Sequence, residues 1–376
     1  MSAAPEHGRM AWLDALRAVA VLLVVYAHLT RYVFTDVRAV TGEWLHAGPA
    51  GVMLFFLVSG YIIPASLERH GDVRRFWTGR ARRLLPLYLA VVVVLLPVAW
   101  PADPLRTLTG HATMLPFLLD VPLITPVLWT LSYEMAFYLL VSGLFTVGLR
   151  RVEAAVAVLL AGLAVATAPL TSSLVPLPVA VLVLTAGFAA VYLRRIRLGG
   201  IVLGLLAVAL LLLNQDPAHA WDGLLIVAVM FTGTTLYRAE RGQIRWRQAG
   251  LTAAVVAAAL LWNWLAELRA LDGFTPGYIA RSMITLLVVA GTFAVAFRWR
   301  HRRVPAWLAR TGVLSYSIYL VHYAAIQLLQ PWLTADLPDV VVAAGYVAMV
   351  LGVSALTYRW IELPAQRRAA PAPAVR

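Results

Sequence analysis

The sequence predicts an all-α integral membrane protein, a bundle of ten to twelve transmembrane helices with both termini in the cytoplasm. Two observations support this prediction. Of the 376 residues, 61% are hydrophobic and only 13% are charged, whereas a soluble domain is about half apolar and about a quarter charged. All 31 basic residues are arginine, and they stand in short clusters between long apolar runs. This clustering argues against a nucleic-acid-binding protein, despite the net charge of +13.

Twelve apolar runs are candidates for the spans, because a helix needs about 20 predominantly apolar residues to cross a bilayer. They lie at 12–32, 48–67, 84–100, 127–148, 152–169, 176–193, 198–213, 222–237, 250–265, 278–297, 312–330 and 339–358. Several runs are short, so ten spans is the alternative if one adjacent pair does not cross.

The distribution of the arginines predicts how these spans are oriented in the membrane. With the N-terminus inside, the cytoplasmic connections hold 25 arginines and the outer connections hold four. The outer four are Arg31, Arg38, Arg106 and Arg269. The remaining two, Arg17 and Arg281, fall within spans. Because cytoplasmic loops of membrane proteins carry an excess of basic residues, this bias predicts that both termini lie inside.

The domain organisation is predicted to be simple. The first span is long, carries Asp14 and Arg17, and lacks a following cleavage site, so it is not a signal peptide. We expect one transmembrane domain over residues 1–368 and a disordered Pro/Ala tail over 369–376, without a fused soluble domain. The absence of cysteine excludes disulfides and thiolate chemistry.

Ionisable residues inside spans cost about 2.5–3.5 kcal/mol each on insertion scales and therefore mark candidate functional sites. In the first span, Arg17 and His28 are eleven residues apart, which places them on one helical face, roughly 16 Å apart along the axis. Asp14 lies one turn below Arg17 on nearly the same side. The simpler interpretation of this stripe is a snorkelling arginine with an interfacial histidine.

A second candidate is the basic cluster at residues 76–86, at a cytoplasmic membrane edge. It contains Arg80 and Arg83, and guanidinium groups bind phosphate bidentately. From charge alone, an ordinary positively charged loop explains this cluster better.

The third candidate lies at residues 128–138, at the start of a span entered from outside. Glu134 shares a helix face with Thr130 and Tyr138, each four residues away. A carboxylate at this depth needs a partner. A histidine on another span would serve, and the alternative is a structural ion pair with an arginine such as Arg281.

The fourth candidate lies at residues 315–322. Ser315, Tyr319 and His322 recur at i, i+4 and i+7 and form one stripe. A core histidine hydrogen-bonded to a neighbouring helix explains His322 slightly better than a catalytic histidine does. No metal site is expected, because His28 and His322 are isolated in the sequence and lack clustered spacing.

These stretches, in this order and across nearly the whole chain, resemble the acyltransferase-3 family of membrane-bound acyltransferases. The family's opening pattern, a basic residue, ten residues and then histidine, is met by Arg17 and His28. Further motifs follow in register: FFxxSGY at 55–61, RxxR at Arg80 and Arg83, Trp129 with Glu134 and Tyr138, SYSIYLxH at 315–322, and IExP at 361–364. Each motif alone is weak, but six in register are specific.

The resemblance implies transfer of an acyl group, usually acetyl, from a CoA thioester to a hydroxyl group of a carbohydrate or related acceptor. Acceptors in the family include cell-envelope polysaccharides, lipid-linked glycans and macrolide antibiotics. It also implies a multi-pass protein of the bacterial cytoplasmic membrane, with acyl-CoA as co-substrate and no permanently bound cofactor.

Roles for single residues follow as hypotheses. His28 is expected to be the general base for the acceptor hydroxyl, with an acyl-histidine intermediate as the alternative. Glu134 is expected to orient His28. The residues expected to hold the donor are Arg17, Arg80 and Arg83. The residues expected to support the site are Asp14, Trp129, Tyr133, Tyr138, Arg281, Ser315, Tyr319, His322 and Glu362.

Two other classes are compatible with the sequence. A secondary transporter or flippase fits a many-span bundle with polar residues at the midplane, although neither repeat symmetry nor paired broken helices are visible. A membrane glycosyltransferase would use an acidic residue of an outer loop. The candidates are Asp36, Glu43, Asp103 and Asp120.

Overall fold

The computed structural model describes residues 10–149, 151–167, 172–215, 223–270, 275–333 and 337–367. Within these ranges the chain is almost entirely helical, which confirms the predicted all-α class. Two short strands, β1 (Ser172–Ser173) and β2 (Asn214–Gln215), pair antiparallel. The tail predicted at 369–376 lies outside the described residues.

The described ranges contain sixteen α-helices: α1 Ala11–Tyr32, α2 Thr35–Thr41, α3 Ala47–His70, α4 Val73–Leu95, α5 Pro104–Ala112, α6 Trp129–Thr146, α7 Glu153–Thr167, α8 Leu177–Tyr192, α9 Ile196–Leu213, α10 Gly223–Glu240, α11 Trp246–Ala270, α12 Pro276–Arg298, α13 Ala306–Val313, α14 Ser315–Leu333, α15 Asp339–Thr357 and α16 Leu363–Arg367. Two 3₁₀ turns, Phe117–Leu119 and Pro126–Leu128, precede α6, and a π-helical turn, Tyr358–Glu362, joins α15 to α16.

Each of the twelve predicted apolar runs overlaps a helix. Within the described ranges, seven helical segments are long and apolar enough to cross a membrane, and α13 with α14, bent by 67°, add an eighth if they count as one span. The adjacent helices α7 and α8 are apolar but have only 15 and 16 residues. A multi-span membrane fold is thereby confirmed. The count of ten to twelve spans and the cytoplasmic termini stay predictions.

One predicted boundary is wrong. The basic cluster at 76–86 is not a loop but part of α4. Asp72 caps this helix, since its Oδ1 accepts from the backbone N–H of Arg74 (2.8 Å) and of Arg75 (3.3 Å). Gly71, with φ of 63°, ends α3 just before it. Because α4 begins with an amphipathic, arginine-rich half, hydropathy detects only its apolar second half.

The centre of the bundle is α3, which packs against α1 and α10. Two glycines allow the close crossing of α3 and α10. A methyl group at Gly60 would overlap the Met230 carbonyl, and one at Gly233 would overlap the Leu57 carbonyl. Thr234 also donates a hydrogen bond to the Gly60 carbonyl (2.8 Å). Small residues at such crossings are typical of packing between membrane helices.

A buried ion cluster joins α10 to α3 and α7. Arg238 of α10 is 4% exposed and donates to Glu153 of α7 (2.6 Å) and to Glu68 of α3 (2.7 Å). A charge in the interior of a membrane bundle is costly without a partner, so these contacts hold three helices in register at one end of the bundle.

A buried histidine orders the stretch between α4 and α6. The Nδ1 of His111, on α5, lies 2.9 Å from the Tyr88 hydroxyl, and its Nε2 accepts from the backbone N–H of Ile124 (3.3 Å). Burial lowers the pKa of His111 to about 4, an effect partly opposed by the Pro122 carbonyl. His111 is therefore neutral at physiological pH and fixes the chain that leads into α6.

Candidate active site

Three cavities lie in series along α1. The inner cavity has a volume of about 450 Å³, the middle cavity about 80 Å³ and the outer cavity about 1050 Å³. The inner and middle cavities share Arg17, Arg83 and Tyr316 as lining residues. The middle and outer cavities share Val52 and Tyr319. Neighbouring cavities therefore border the same side chains, and the three lie in a row with the smallest in the middle; we call this row the polar path.

The inner cavity lies at the N-terminal end of α1. Asp14 is buried there and accepts a hydrogen bond from Arg17 (3.3 Å), as the predicted stripe requires. Glu362, from the π-helical turn, lines the same cavity and accepts a short hydrogen bond from the Ser317 hydroxyl. Both acids therefore have partners within the bundle.

The middle cavity brings together the three arginines predicted to hold the donor. Arg17, Arg80 and Arg83 all line it, together with Glu134. The Arg80 guanidinium lies over the ring of Phe76 (5.4 Å) and that of Tyr138 (5.5 Å). Arg80 and Arg83 are thus directed into the bundle, and the interpretation of this cluster as a cytoplasmic loop does not describe their position.

Glu134 does not contact His28. Its carboxylate accepts from the Ser59 hydroxyl (3.4 Å) and, in a short hydrogen bond, from Tyr138. One turn closer to the outer cavity, Thr130 is hydrogen-bonded to Tyr319 (2.9 Å). Within the described residues the structure therefore contains neither the expected bond between Glu134 and His28 nor an ion pair between Glu134 and Arg281.

The partner of His28 is His322, which is 294 positions away in the sequence. The Nδ1 of His28 lies 2.9 Å from the Val24 carbonyl and 3.4 Å from Nε2 of His322. The Nδ1 of His322 lies 3.1 Å from the Ile318 carbonyl. A carbonyl requires a donor, so these hydrogen bonds assign a proton to Nδ1 of both neutral rings. The Nε2 of His28 is then an unprotonated acceptor on a side chain that lines the outer cavity.

Neighbouring side chains hold this pair in place. His322 is fully buried, and its backbone carbonyl accepts from the Tyr346 hydroxyl (2.8 Å). The Tyr323 ring meets the His28 ring edge to face at 5.0 Å, and its hydroxyl is hydrogen-bonded to Tyr32 (2.9 Å). The pairing corrects the view of the two histidines as isolated. The described His, Asp and Glu side chains form no group of three or more that could hold a metal ion.

The remaining predicted residues border the same path. Trp129 lines the outer cavity, and Tyr133 packs against its ring at 6.0 Å. Ser315 lines the middle cavity, Tyr319 stands between the middle and outer cavities, and Arg281 lines the outer one.

Several residues of the site were not among the predicted ones. Ser59 and Tyr316 stand inside the motifs at 55–61 and 315–322, so the signal was present but was not assigned to single side chains. In the outer cavity the unassigned residues include Arg31, Arg38 and His46. Burial, reinforced by the positive charge of Arg281, lowers the pKa of His46 to about 4, so this histidine is neutral at physiological pH.

Comparison with known proteins gives a family match over nearly the whole chain. A family model described as an acyltransferase domain, of the acyltransferase-3 type, matches residues 10–359. A Staphylococcus aureus (strain MSSA476) protein provisionally named as an O-acetyltransferase is 38% identical over 95 residues, 24% of this chain and 13% of that protein. The peptidoglycan O-acetyltransferase OatA of Listeria monocytogenes is 29% identical over 165 residues, 38% of this chain and 25% of its own. The chain thus covers between about an eighth and a quarter of these relatives. No solved structure matches it.

Proposed function

The chain belongs to the acyltransferase-3 family, and from that premise we propose that it is a membrane-bound O-acyltransferase that moves an acetyl group from acetyl-CoA to a hydroxyl of a carbohydrate. The name of the Listeria relative, a peptidoglycan O-acetyltransferase, supports a glycan as the acceptor.

The observation that carries the proposal is the state of the His28 ring. Its Nδ1–H is held by the Val24 carbonyl beside His322, which leaves Nε2 as a base at the outer cavity. In the proposed step, Nε2 takes the proton of the acceptor hydroxyl as the oxygen attacks the thioester carbonyl. The carbon–sulfur bond then breaks, and the CoA thiolate leaves with the proton that His28 returns.

The donor is proposed to enter from the inner cavity. Arg17, Arg80 and Arg83 would bind its phosphates and amides, because guanidinium groups suit phosphate. From Arg17 the extended pantetheine arm follows α1 for roughly 16 Å to His28. The middle cavity is small, about 80 Å³, so a donor arm lying in it would leave little room for water that could hydrolyse the thioester.

The proposal changes the role of Glu134. Since Glu134 lines the middle cavity with three arginines, it is in place to balance their charge and hold them around the donor. His322 takes the orienting role that the sequence suggested for Glu134.

The test is acetyl transfer by the purified protein in nanodiscs, with radiolabelled acetyl-CoA and the disaccharide N-acetylglucosaminyl-N-acetylmuramic acid. His28→Gln should lower transfer by about 10²- to 10⁴-fold, the usual contribution of a general base. In His28→Gly, added imidazole should restore part of the activity.

The matched control is His301→Gln, since His301 is an exposed histidine in the connection between α12 and α13. Full transfer by a folded His28→Gln protein would refute the proposal. Movement of glycan across vesicles without any CoA donor would favour the transporter class instead.

A further inference from the structure

Resting on the proposed function, we infer that the outer cavity recognises an acceptor by a negatively charged group, a carboxylate or phosphate, carried near the hydroxyl that is acylated. The site comprises Arg31, Arg38 and Arg281, which line the same cavity as His28. Nothing in the catalytic step itself requires these three arginines.

Their position on the predicted outer side is unusual. The outer connections are predicted to hold only four arginines, and two of these, Arg31 and Arg38, line this cavity. Arg281 joins them from α12, although an arginine within a span is costly. Elsewhere in the chain, arginines are predicted to lie mostly on the cytoplasmic side. That three arginines line one outer cavity therefore indicates a ligand that binds to them.

Within the part of the chain that the structure describes, these arginines have no acidic partner. Within the described residues, Arg106 pairs with Asp120 (3.9 Å) and Arg300 with Glu240 (2.8 Å), whereas no ion pair is formed by Arg31, Arg38 or Arg281. The acidic side chain in the cavity lining is Glu43, which is exposed and not paired with any of the three. Because His46 is neutral, the described residues of the lining carry a net charge of about +2.

Two contacts fix the position of the Arg281 guanidinium. Its Nη1 donates to the Gly42 carbonyl (2.8 Å), and the guanidinium lies 4.3 Å from the centre of the Tyr278 ring. Its Nε is buried and has no hydrogen-bond partner among the described residues. A guanidinium fixed in this way loses little side-chain entropy when its other N–H groups bind an anion.

The rest of the lining suits a sugar. Trp44 is 60% exposed, and Tyr26, Tyr278 and Trp129 present further aromatic surface in a cavity of about 1050 Å³, large enough for an oligosaccharide. His28 lines the same cavity, so the anionic group and the reacting hydroxyl can belong to one molecule. An anionic lipid headgroup offers similar chemistry, and the test separates the two sources.

The test measures binding by calorimetry, without donor, in phosphatidylcholine nanodiscs. The probes are N-acetylglucosaminyl-N-acetylmuramic acid and its methyl ester, which differ by one negative charge. The wild type should bind the acid about 10- to 100-fold more tightly than the ester, as expected for hydrogen bonds to a charged group. Arg38→Gln combined with Arg281→Gln should abolish the difference. The matched control, Arg269→Gln, removes an outer arginine that does not line the cavity and should preserve it.

The same samples are then assayed for acetyl transfer. Preference for the acid without any transfer would support the anion site and defeat the proposed function. Transfer to both probes with equal KM, unchanged by the arginine substitutions, would leave the function intact and overturn the inference. Equal binding of acid and ester by the wild type would also overturn it, as would loss of acid binding when phosphatidylglycerol is added to the nanodiscs, since the arginines would then serve the lipid.

Discussion

Two backbone carbonyls, one on α1 and one on α14, decide which nitrogen of each ring in the pair His28 and His322 carries the proton. Val24 holds the Nδ1–H of His28, and Ile318 holds the Nδ1–H of His322. The Nε2 of His322 is then unprotonated and can accept a hydrogen bond from the Nδ1–H of His28. This hydrogen bond strengthens when His28 takes up a proton and becomes positively charged. This places His322 in a positioning role without contact to substrate.

His322→Leu should lower kcat about tenfold and leave KM for acetyl-CoA unchanged, because it removes one hydrogen bond to His28 while the donor-binding arginines are untouched. His322→Gln should recover most of the loss, since its side-chain oxygen can accept at about the place of Nε2. The measurement is steady-state transfer over a range of acetyl-CoA concentrations. Equal kcat in the Leu and Gln variants, or a rise in KM alone, would argue against positioning.

What the sequence could predict at this scale depended on the distance between residues along the chain. The alignment of Arg17 with His28 follows from helix geometry alone, and both line the polar path. The pairing of His28 with His322 depends on how α1 and α14 pack, which no local pattern encodes. For the same reason the sequence assigned Glu134 to His28, whereas the packing gives it Ser59 and Tyr138.

At the scale of elements, α3 is positioned by backbone contacts that only glycine allows. Gly60 belongs to the same motif as Ser59 and Phe55, which line the middle cavity. The glycine therefore sets how closely α3 approaches α10. Its presence in the motif has a packing reason as well as any chemical one.

Gly60→Ala should lower the free energy of unfolding by about 1–3 kcal/mol, because the added methyl group overlaps the Met230 carbonyl and forces α3 and α10 apart. The control is Gly291→Ala, a helical glycine of α12 with open space around it, which should be neutral or slightly stabilising. Thermal melting in one detergent compares them. A Gly60→Ala protein that melts with the wild type would show that α3 and α10 are not held by this contact.

Most helices could be predicted from the apolar runs of the sequence. The first half of α4 and the bend between α13 and α14 could not. Apolar length identifies helices that face lipid, so the predicted runs fall on the observed helices. It does not register the first half of α4, whose Arg80 and Arg83 face the polar path, nor the bend of 67° between α13 and α14.

For the whole molecule, the order of the cavities and the arginine bias predict the same arrangement across the membrane. The inner cavity, with Arg17 and Arg83, lies at the end of the bundle predicted to be cytoplasmic, where acyl-CoA is made. The outer cavity lies at the end predicted to face outward, where an envelope glycan would be met. In the predicted orientation, the proposed transfer carries the acyl group across the membrane, and no separate flippase is needed.

The orientation can be tested directly because the chain has no cysteine, so a single introduced thiol reports its own side of the membrane. Leu105 in the stretch before α6 is 78% exposed, and Leu193 beside the arginines that follow α8 is 74% exposed. In spheroplasts, Leu105→Cys should react with a membrane-impermeant maleimide, whereas Leu193→Cys should react only after permeabilisation, because the arginine bias places it inside. The reverse pattern, or labelling of both from one side, would invert or break the predicted topology and would remove the argument that the donor enters through the inner cavity.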